Sequence, residues 1–188
     1  MNNKTVGSIN IILGPMFSGK STELIKNINK YNHKKKKTIV IKYSFDNRYS
    51  MTESVVTHDK FEYPACKAKT LTEVREKLND YEVIGIDEGQ FFVDLSEICE
   101  ELANSGKIIF ISALNGNFKR EFFESIVKIL PKCEKITNLQ SICFFCTDEA
   151  SFTLRTVGNK EEVLIGGIEA YKPSCRTCYN TQMEKSIE

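Results

Sequence analysis

Gly14-Pro15-Met16-Phe17-Ser18-Gly19-Lys20-Ser21 satisfies the pattern G-x-x-x-x-G-K-[ST]. Glycines at that spacing let the backbone curl so that its N–H groups surround an anion. A helix that follows adds unpaired N–H groups and the positive end of its dipole. Lys20 supplies a point charge for the phosphates, and the Ser21 hydroxyl suits a magnesium ion. Asp87-Glu88 closes the apolar run VIGID, at the edge where open α/β sheets gather their ligands. Successive side chains of a strand point to opposite faces, so Asp87 can hold the metal ion while Glu88 faces an acceptor as general base. The pair alone leaves open whether Glu88 takes a proton from an alcohol, as in a kinase, or orients water, as in an ATPase.

A second chemistry resides in the cysteines. Cys143-x-x-Cys146 and Cys175-x-x-Cys178, 28 residues apart, have the ligand spacing of a four-thiolate zinc site. Four protein ligands leave no open coordination position, so the metal is expected to be structural. Cys66, Cys99 and Cys133 have no partner spacing and read as small buried apolar residues. The aromatics of Gln90-Phe91-Phe92 and of the segment holding Phe118, Phe122 and Phe123 suit either a core or a stack on a planar base.

The elements that must position these groups are legible as alternating runs. Ile9–Leu13 reads as a buried strand stopped by Gly14-Pro15. From Lys20, Leu24, Ile25, Ile28 and Tyr31 recur at helical spacing up to the lysine run 34–37. Thr38–Tyr43 is a second strand, followed by about twenty polar residues of weak periodicity, long enough to suspect a functional segment. Thr70 and Glu73 have capping-box spacing ahead of a helix carrying Leu71, Val74 and Leu78. After the strand Val83–Asp87, Asp94 and Glu97 open a helix with Leu95, Ile98 and Leu102 inward, which Gly106 closes before the strand Ile108–Ala113. This alternation predicts an α/β fold, a parallel sheet covered by helices. It stops near residue 140, where the cysteine pairs and a hairpin, Ser151–Val157 with Glu162–Ile165 through Gly158-Asn159, take over.

Composition narrows the function classes. The 188 residues are 41% hydrophobic and 27% charged, enough for a packed core and too few residues for a large multidomain machine. With 26 Lys+Arg against 25 Asp+Glu, the net charge of +1 gives no global field to draw a nucleic acid or an anionic membrane. No apolar run reaches the roughly 18 residues of a membrane span, and the N-terminus lacks a signal-peptide centre. A cytoplasmic protein with neither membrane nor nucleic-acid partner is expected. His33 and His58 read as ordinary polar residues, and lysines 34–37 as a solvated helix end.

GPMFSGKSTEL, VIKYSFDNRYS, Thr57–Asp59, VIGIDEGQFF, ALNGNF, VLIGG and YKPSCRTCY follow one another between Ile9 and Tyr179. Together they resemble the family of cytosolic-type (type II) thymidine kinases. The resemblance implies a P-loop NTPase core of RecA-like type over residues 1–139 and a small zinc-binding domain with a substrate (lasso) loop over 140–188. It implies transfer of the ATP γ-phosphoryl group to the 5′-hydroxyl of thymidine on a homotetramer, with structural zinc, magnesium and feedback inhibition by thymidine triphosphate. Gly14–Ser21 with Asp87 and Gln90 then belong to the ATP and magnesium site, and Glu88 is the base. Asp46, Asn47 and Arg48 lie close to the transferring group. Met16, Phe91, Leu114, Phe118, Phe123 and Tyr171 wall the nucleoside, and backbone groups of Glu162, Val163, Leu164, Ile165 and Gly166 read the base edge. Because the cysteine pairs clamp that loop, Cys146→Ser is expected to weaken thymidine binding more than ATP binding. The chain departs from many relatives at Asn115, where they have Asp, and at Glu121-Phe122, in place of a basic residue and proline. The competing reading is a zinc-ribbon P-loop ATPase that binds nucleic acid, with the lysine run as its support.

Overall fold

Strand β1, Ser8–Gly14, can be apolar on both faces because it lies inside a sheet, with Ile9, Ile11, Ile12 and Leu13 all buried. The computed structural model describes residues 6–44, 54–56, 62–156 and 169–185. After β1 come α1 (Lys20–His33) and β2 (Thr38–Tyr43), then β3 (Ser54–Val56), β4 (Glu62–Pro64) and β5 (Cys66–Ala68). A 3-10 turn, Thr72–Val74, runs into α2 (Arg75–Leu78) and β6 (Val83–Asp87). A second 3-10 turn, Gly89–Phe91, precedes α3 (Leu95–Asn104) and β7 (Ile108–Leu114). Then follow α4 (Glu124–Ile129), β8 (Lys135–Asn138), β9 (Ser141–Ile142), β10 (Glu149–Ala150), β11 (Phe152–Arg155), β12 (Tyr171–Ser174) and α5 (Arg176–Lys185).

Six strands form one parallel sheet in the order β5-β2-β6-β7-β1-β8. This is the predicted α/β class, and β7 separates the strand before the glycine loop from the strand that ends in Asp87. On one face α1 packs Leu24, Ile25 and Ile28 against Ile12, Val40, Val83 and Phe110. On the other, Leu95, Cys99 and Leu102 of α3 and Ile126 and Ile129 of α4 cover Ile9, Ile11, Ile84, Ile109 and Ile111. Full burial of each of these aliphatic side chains is worth about 1.5–3 kcal/mol, and it is this double coverage that holds the strand ends in register.

Four expectations change. The polar stretch after Tyr43 contains three strands of three residues each, too short to declare a period, and β5 forms an edge of the main sheet. The helix after Thr70 is a 3-10 turn followed by only four α-helical residues, although the Glu73 N–H does reach Thr70 Oγ1 at 3.4 Å. Asp94 stands before α3 without capping it. Its carboxylate instead accepts the N–H groups of Leu71 and Thr72, at 3.1 and 2.8 Å, and the Thr72 hydroxyl. Finally, the strand expected over Ser151–Val157 is Phe152–Arg155, and its partner is Tyr171–Ser174; Glu162–Ile165 lies outside the described residues. Helix α4 and the mostly exposed edge strand β8 were not anticipated. Among the described residues no helix is long and apolar enough to cross a membrane.

Candidate active site

The loop leaves β1 at Gly14, where a Cβ would lie 2.5 Å from Ser18 Oγ and 2.7 Å from the Leu139 carbonyl, so only hydrogen fits. The Pro15 carbonyl is its hub, accepting from Ser18 Oγ at 2.9 Å and from Lys20 Nζ at 2.6 Å. Phe17 (φ 64°) and Gly19 (φ 79°) are left-handed and give the curl that turns successive N–H groups inward. Two bonds pin the loop from outside: the Met16 N–H donates to Thr153 Oγ1 at 3.0 Å, and Ser141 Oγ donates to the Phe17 carbonyl at 3.0 Å. Lys20 is buried, which lowers its pKa against the opposing pull of Glu88 and Asp87.

Asp87 ends β6 almost fully buried, and one oxygen accepts hydroxyl hydrogens from both Ser21, at 2.8 Å, and Ser112 of β7. Glu88 is not part of the strand. It adopts φ 59°, ψ 42° at the head of the 3-10 turn, so a left-handed residue, and not strand alternation, sets the direction of its side chain. Glu88 Oε2 accepts from Gln90 Nε2 at 2.6 Å, while Gln90 Oε1 accepts the Leu114 N–H at 3.1 Å and the Gln90 carbonyl accepts from Ser125 Oγ at 2.8 Å. Gln90 is therefore a buried strut between the acid and the end of β7. Burial first, and Asp87 second, push the Glu88 carboxyl above the ordinary range, opposed by Lys20 and the Gln90 amide. A hard oxygen set, Ser21 and Asp87, stands beside a carboxylate of raised basicity, and the donor chemistry fits magnesium at the first pair.

The aromatics divide into two groups. Phe91 lies 5.4 Å from Tyr43 and 6.1 Å from Phe123 between ring centroids, while Phe92 is core and Phe122 is exposed. Phe118 and Tyr171 meet around Arg155, whose guanidinium carbon is 3.8 and 5.2 Å from their centroids. Leu114 joins the acid through Gln90, and Asn115 ties the loop region to the C-terminal part, its N–H bonding the Gly14 carbonyl and its side chain the Ser151 carbonyl. Asp46, Asn47, Arg48, His58, Glu162, Val163, Leu164, Ile165 and Gly166 lie outside the described residues. Sequence reasoning missed Ser112, Ser125, Ser141, Thr153 and Arg155. Ser112 left a signal, a hydroxyl inside the otherwise apolar IIFISAL.

The four cysteines form a cluster able to hold a metal ion, with all four sulfurs within 4.8 Å of one another. Cys146 and Cys175 sulfurs are 3.6 Å apart, close to the roughly 3.8 Å edge of a tetrahedron with 2.3 Å Zn–S bonds. The knuckle is shaped by the left-handed Thr147 (φ 66°) and by the Cys178 N–H, which donates to Cys175 Sγ at 3.4 Å. Burial raises the Cys143 thiol, but backbone hydrogen bonds from Cys175, Phe145 and Cys146 outweigh it and bring it down to about 6. At Cys146 the Asp148 backbone hydrogen bond pulls the thiol down but the neighbouring sulfurs push it up, and Cys178 is raised too.

The sequence model of the family described as "Thymidine kinase" matches residues 7–179. The protein is 46% identical over 182 residues to "Thymidine kinase 1" of Dictyostelium discoideum, covering 95% of this chain and 80% of the relative. It is likewise 46% identical to the thymidine kinase of Variola virus over 173 residues, 92% of this chain and 97% of the other. Among solved structures, the flagellar accessory protein FlaH from Methanocaldococcus jannaschii shares the fold, with a TM-score of 0.51 at 14% identity, covering 77% of this chain and 76% of that one.

Proposed function

The chain belongs to the thymidine kinase family, and we propose on that premise that it transfers the ATP γ-phosphoryl group to the 5′-hydroxyl of thymidine with Glu88 as the general base. The observation that carries the assignment of roles is the unequal treatment of the two acids. Asp87 is engaged by two hydroxyls, and Glu88 is held by an amide at raised basicity. A carboxylate so held takes the proton of the sugar hydroxyl as its oxygen approaches phosphorus.

Gly14–Ser21 surrounds the triphosphate with N–H groups, and Lys20 neutralises its outer charge. Ser21 and Asp87 hold magnesium, which when bound offsets charge on the phosphoryl oxygens. Asp46, Asn47 and Arg48 act close to the transferring group. Met16, Phe91, Leu114, Phe118, Phe123 and Tyr171 wall the nucleoside, and the backbone of residues 162–166 reads its base. Zinc at Cys143, Cys146, Cys175 and Cys178 is structural, because four thiolates leave it no open position. The division into a nucleotide core, 1–139, and a zinc-binding domain, 140–188, is supported by the change from parallel sheet to short antiparallel pairs between Asn138 and Ser141. The enzyme is a cytoplasmic homotetramer subject to inhibition by thymidine triphosphate.

Family membership disfavours the nucleic-acid-binding ATPase. The test is a coupled assay of ADP release across the natural nucleosides and with DNA or RNA in their place. Stimulation by thymidine and not by polynucleotide is expected; the opposite result would overturn the reading.

A further inference from the structure

Two of the aromatic residues assigned to the nucleoside walls come from different parts of the chain. Phe118 stands in the loop after β7, and Tyr171 opens β12. Arg155 lies between them at the end of β11, directly opposite Tyr171 in the antiparallel register. Its guanidinium carbon is 3.8 Å from the Phe118 ring centroid, and its Nη2 donates to the Tyr171 hydroxyl at 2.7 Å. The backbone of Phe118 is fixed separately, by the Tyr179 hydroxyl donating to its carbonyl at 2.5 Å. That bond sets where Phe118 stands; the stack on Arg155 sets how its ring faces Tyr171. A planar cation can stack on one ring and hydrogen-bond the other at once, which fixes both spacing and tilt; a lysine ammonium has no plane to do so.

We propose that Arg155 is a specificity-determining positioning residue that sets the gap between Phe118 and Tyr171 and thereby the fit of the nucleoside base. The inference rests on the assignment of those two aromatics to the nucleoside pocket. Arg155 touches none of the reacting atoms assigned above and works through the two rings. Its side of β11 also carries Thr153, two residues earlier and on the same face, which holds the Met16 N–H. Arg155 is thus set on a strand already anchored at the phosphate loop.

The test is steady-state kinetics on the full chain, with thymidine, deoxyuridine and ATP varied separately, for wild type, Arg155→Met and Tyr171→Phe. Arg155→Met keeps an unbranched apolar stem as far as the position of Nε and removes the guanidinium plane, its charge and its donors. It is expected to raise the thymidine KM about tenfold, with the ATP KM and kcat within about twofold of wild type. A gap no longer held also senses the 5-methyl group less well. The thymidine-to-deoxyuridine ratio of kcat/KM should therefore fall several-fold, within the roughly 10–200-fold that one methyl can carry. Tyr171→Phe keeps both rings, removes one hydroxyl, and should move the same parameters in the same direction by about threefold; it decides the matter if Arg155→Met does not fold. Calorimetric binding of thymidine alone should weaken in parallel. Thymidine and ATP KM rising together, or an unchanged thymidine-to-deoxyuridine ratio, would overturn the inference while a wild type active on thymidine leaves the proposed function standing. A wild type inactive on every nucleoside would overturn both.

Discussion

Asp87 and Glu88 are neighbours with opposite surroundings, and the difference is testable at one atom. Replacing Glu88 by Gln keeps the left-handed turn and removes the base. We expect kcat to fall at least tenfold, since base catalysis typically contributes about 10²–10⁴-fold, with thymidine affinity little changed. The base acts only when deprotonated, so the raised pKa places the acid limb of the wild-type kcat/KM profile above the ordinary glutamate value of about 4.3; a limb at or below that value would remove Glu88 from the role. Stability has a definite sign as well. A carboxyl whose folded pKa exceeds its unfolded one contributes stability fully present below the unfolded pKa and lost as pH rises through the folded pKa. The two acids also share Lys20, the single buried cation among the described residues. Glu88→Gln should therefore match wild type in thermal midpoint at acid pH and exceed it increasingly toward neutrality, as scanning calorimetry across that window would report.

At the scale of elements, Asp94, Glu97 three residues on and the apolar periodicity that follows together make the signature of a helix N-terminus. The signature located α3 correctly and misassigned the carboxylate. Asp94 reaches across to residues 71 and 72, 23 and 22 positions earlier, and satisfies N–H groups at the head of the 3-10 turn. No local pattern encodes a cap supplied by another element. Loss of three hydrogen bonds in Asp94→Ala should cost about 2 kcal/mol, a fall of roughly 5 °C in midpoint. Because these bonds share no partner with the glycine loop, Asp87 or Glu88, both substrate KM values should stay near wild type. A change in KM without a change in midpoint would show that Asp94 serves the site directly. The long apolar strands and α1 were legible because each has a period and a stop. The three-residue strands β3 to β5 have neither, and three of the four residues of β8 are exposed, so its sequence KITN lacks an apolar face to announce it.

Across the whole molecule, the order β6-β7-β1 sets the acid pair about two strand spacings, roughly 10 Å, from the start of the glycine loop. Ser112, two residues before the end of the intervening strand, and Ser21 at the head of α1 both bond Asp87 across that interval. The glycine loop, the acids and the cysteine quartet were all legible as spacing, because their chemistry needs fixed residue types at short range. What spacing could not convey is that the cysteine-bearing part grips the phosphate loop itself. Thr153 holds the Met16 N–H and Ser141 the Phe17 carbonyl, contacts spanning 137 and 124 positions. Thr153 sits on β11, whose partner β12 ends at Ser174 beside Cys175, and Ser141 lies two residues before Cys143. Loss of the metal should therefore loosen both anchors, which extends the expectation that Cys146→Ser chiefly harms thymidine binding. We expect this variant, or wild type after chelation, to lose zinc and to show the ATP KM rising by about tenfold for one or two released hydrogen bonds, with the thymidine KM rising further because the substrate loop loosens as well. Thr153→Val should raise the ATP KM with zinc fully retained, and Thr153→Ser should restore it. Zinc content by a colorimetric chelator, read beside the two KM values, separates the cases: an ATP KM that stays at the wild-type value after zinc has left would mean that the phosphate loop holds its shape without the C-terminal anchors.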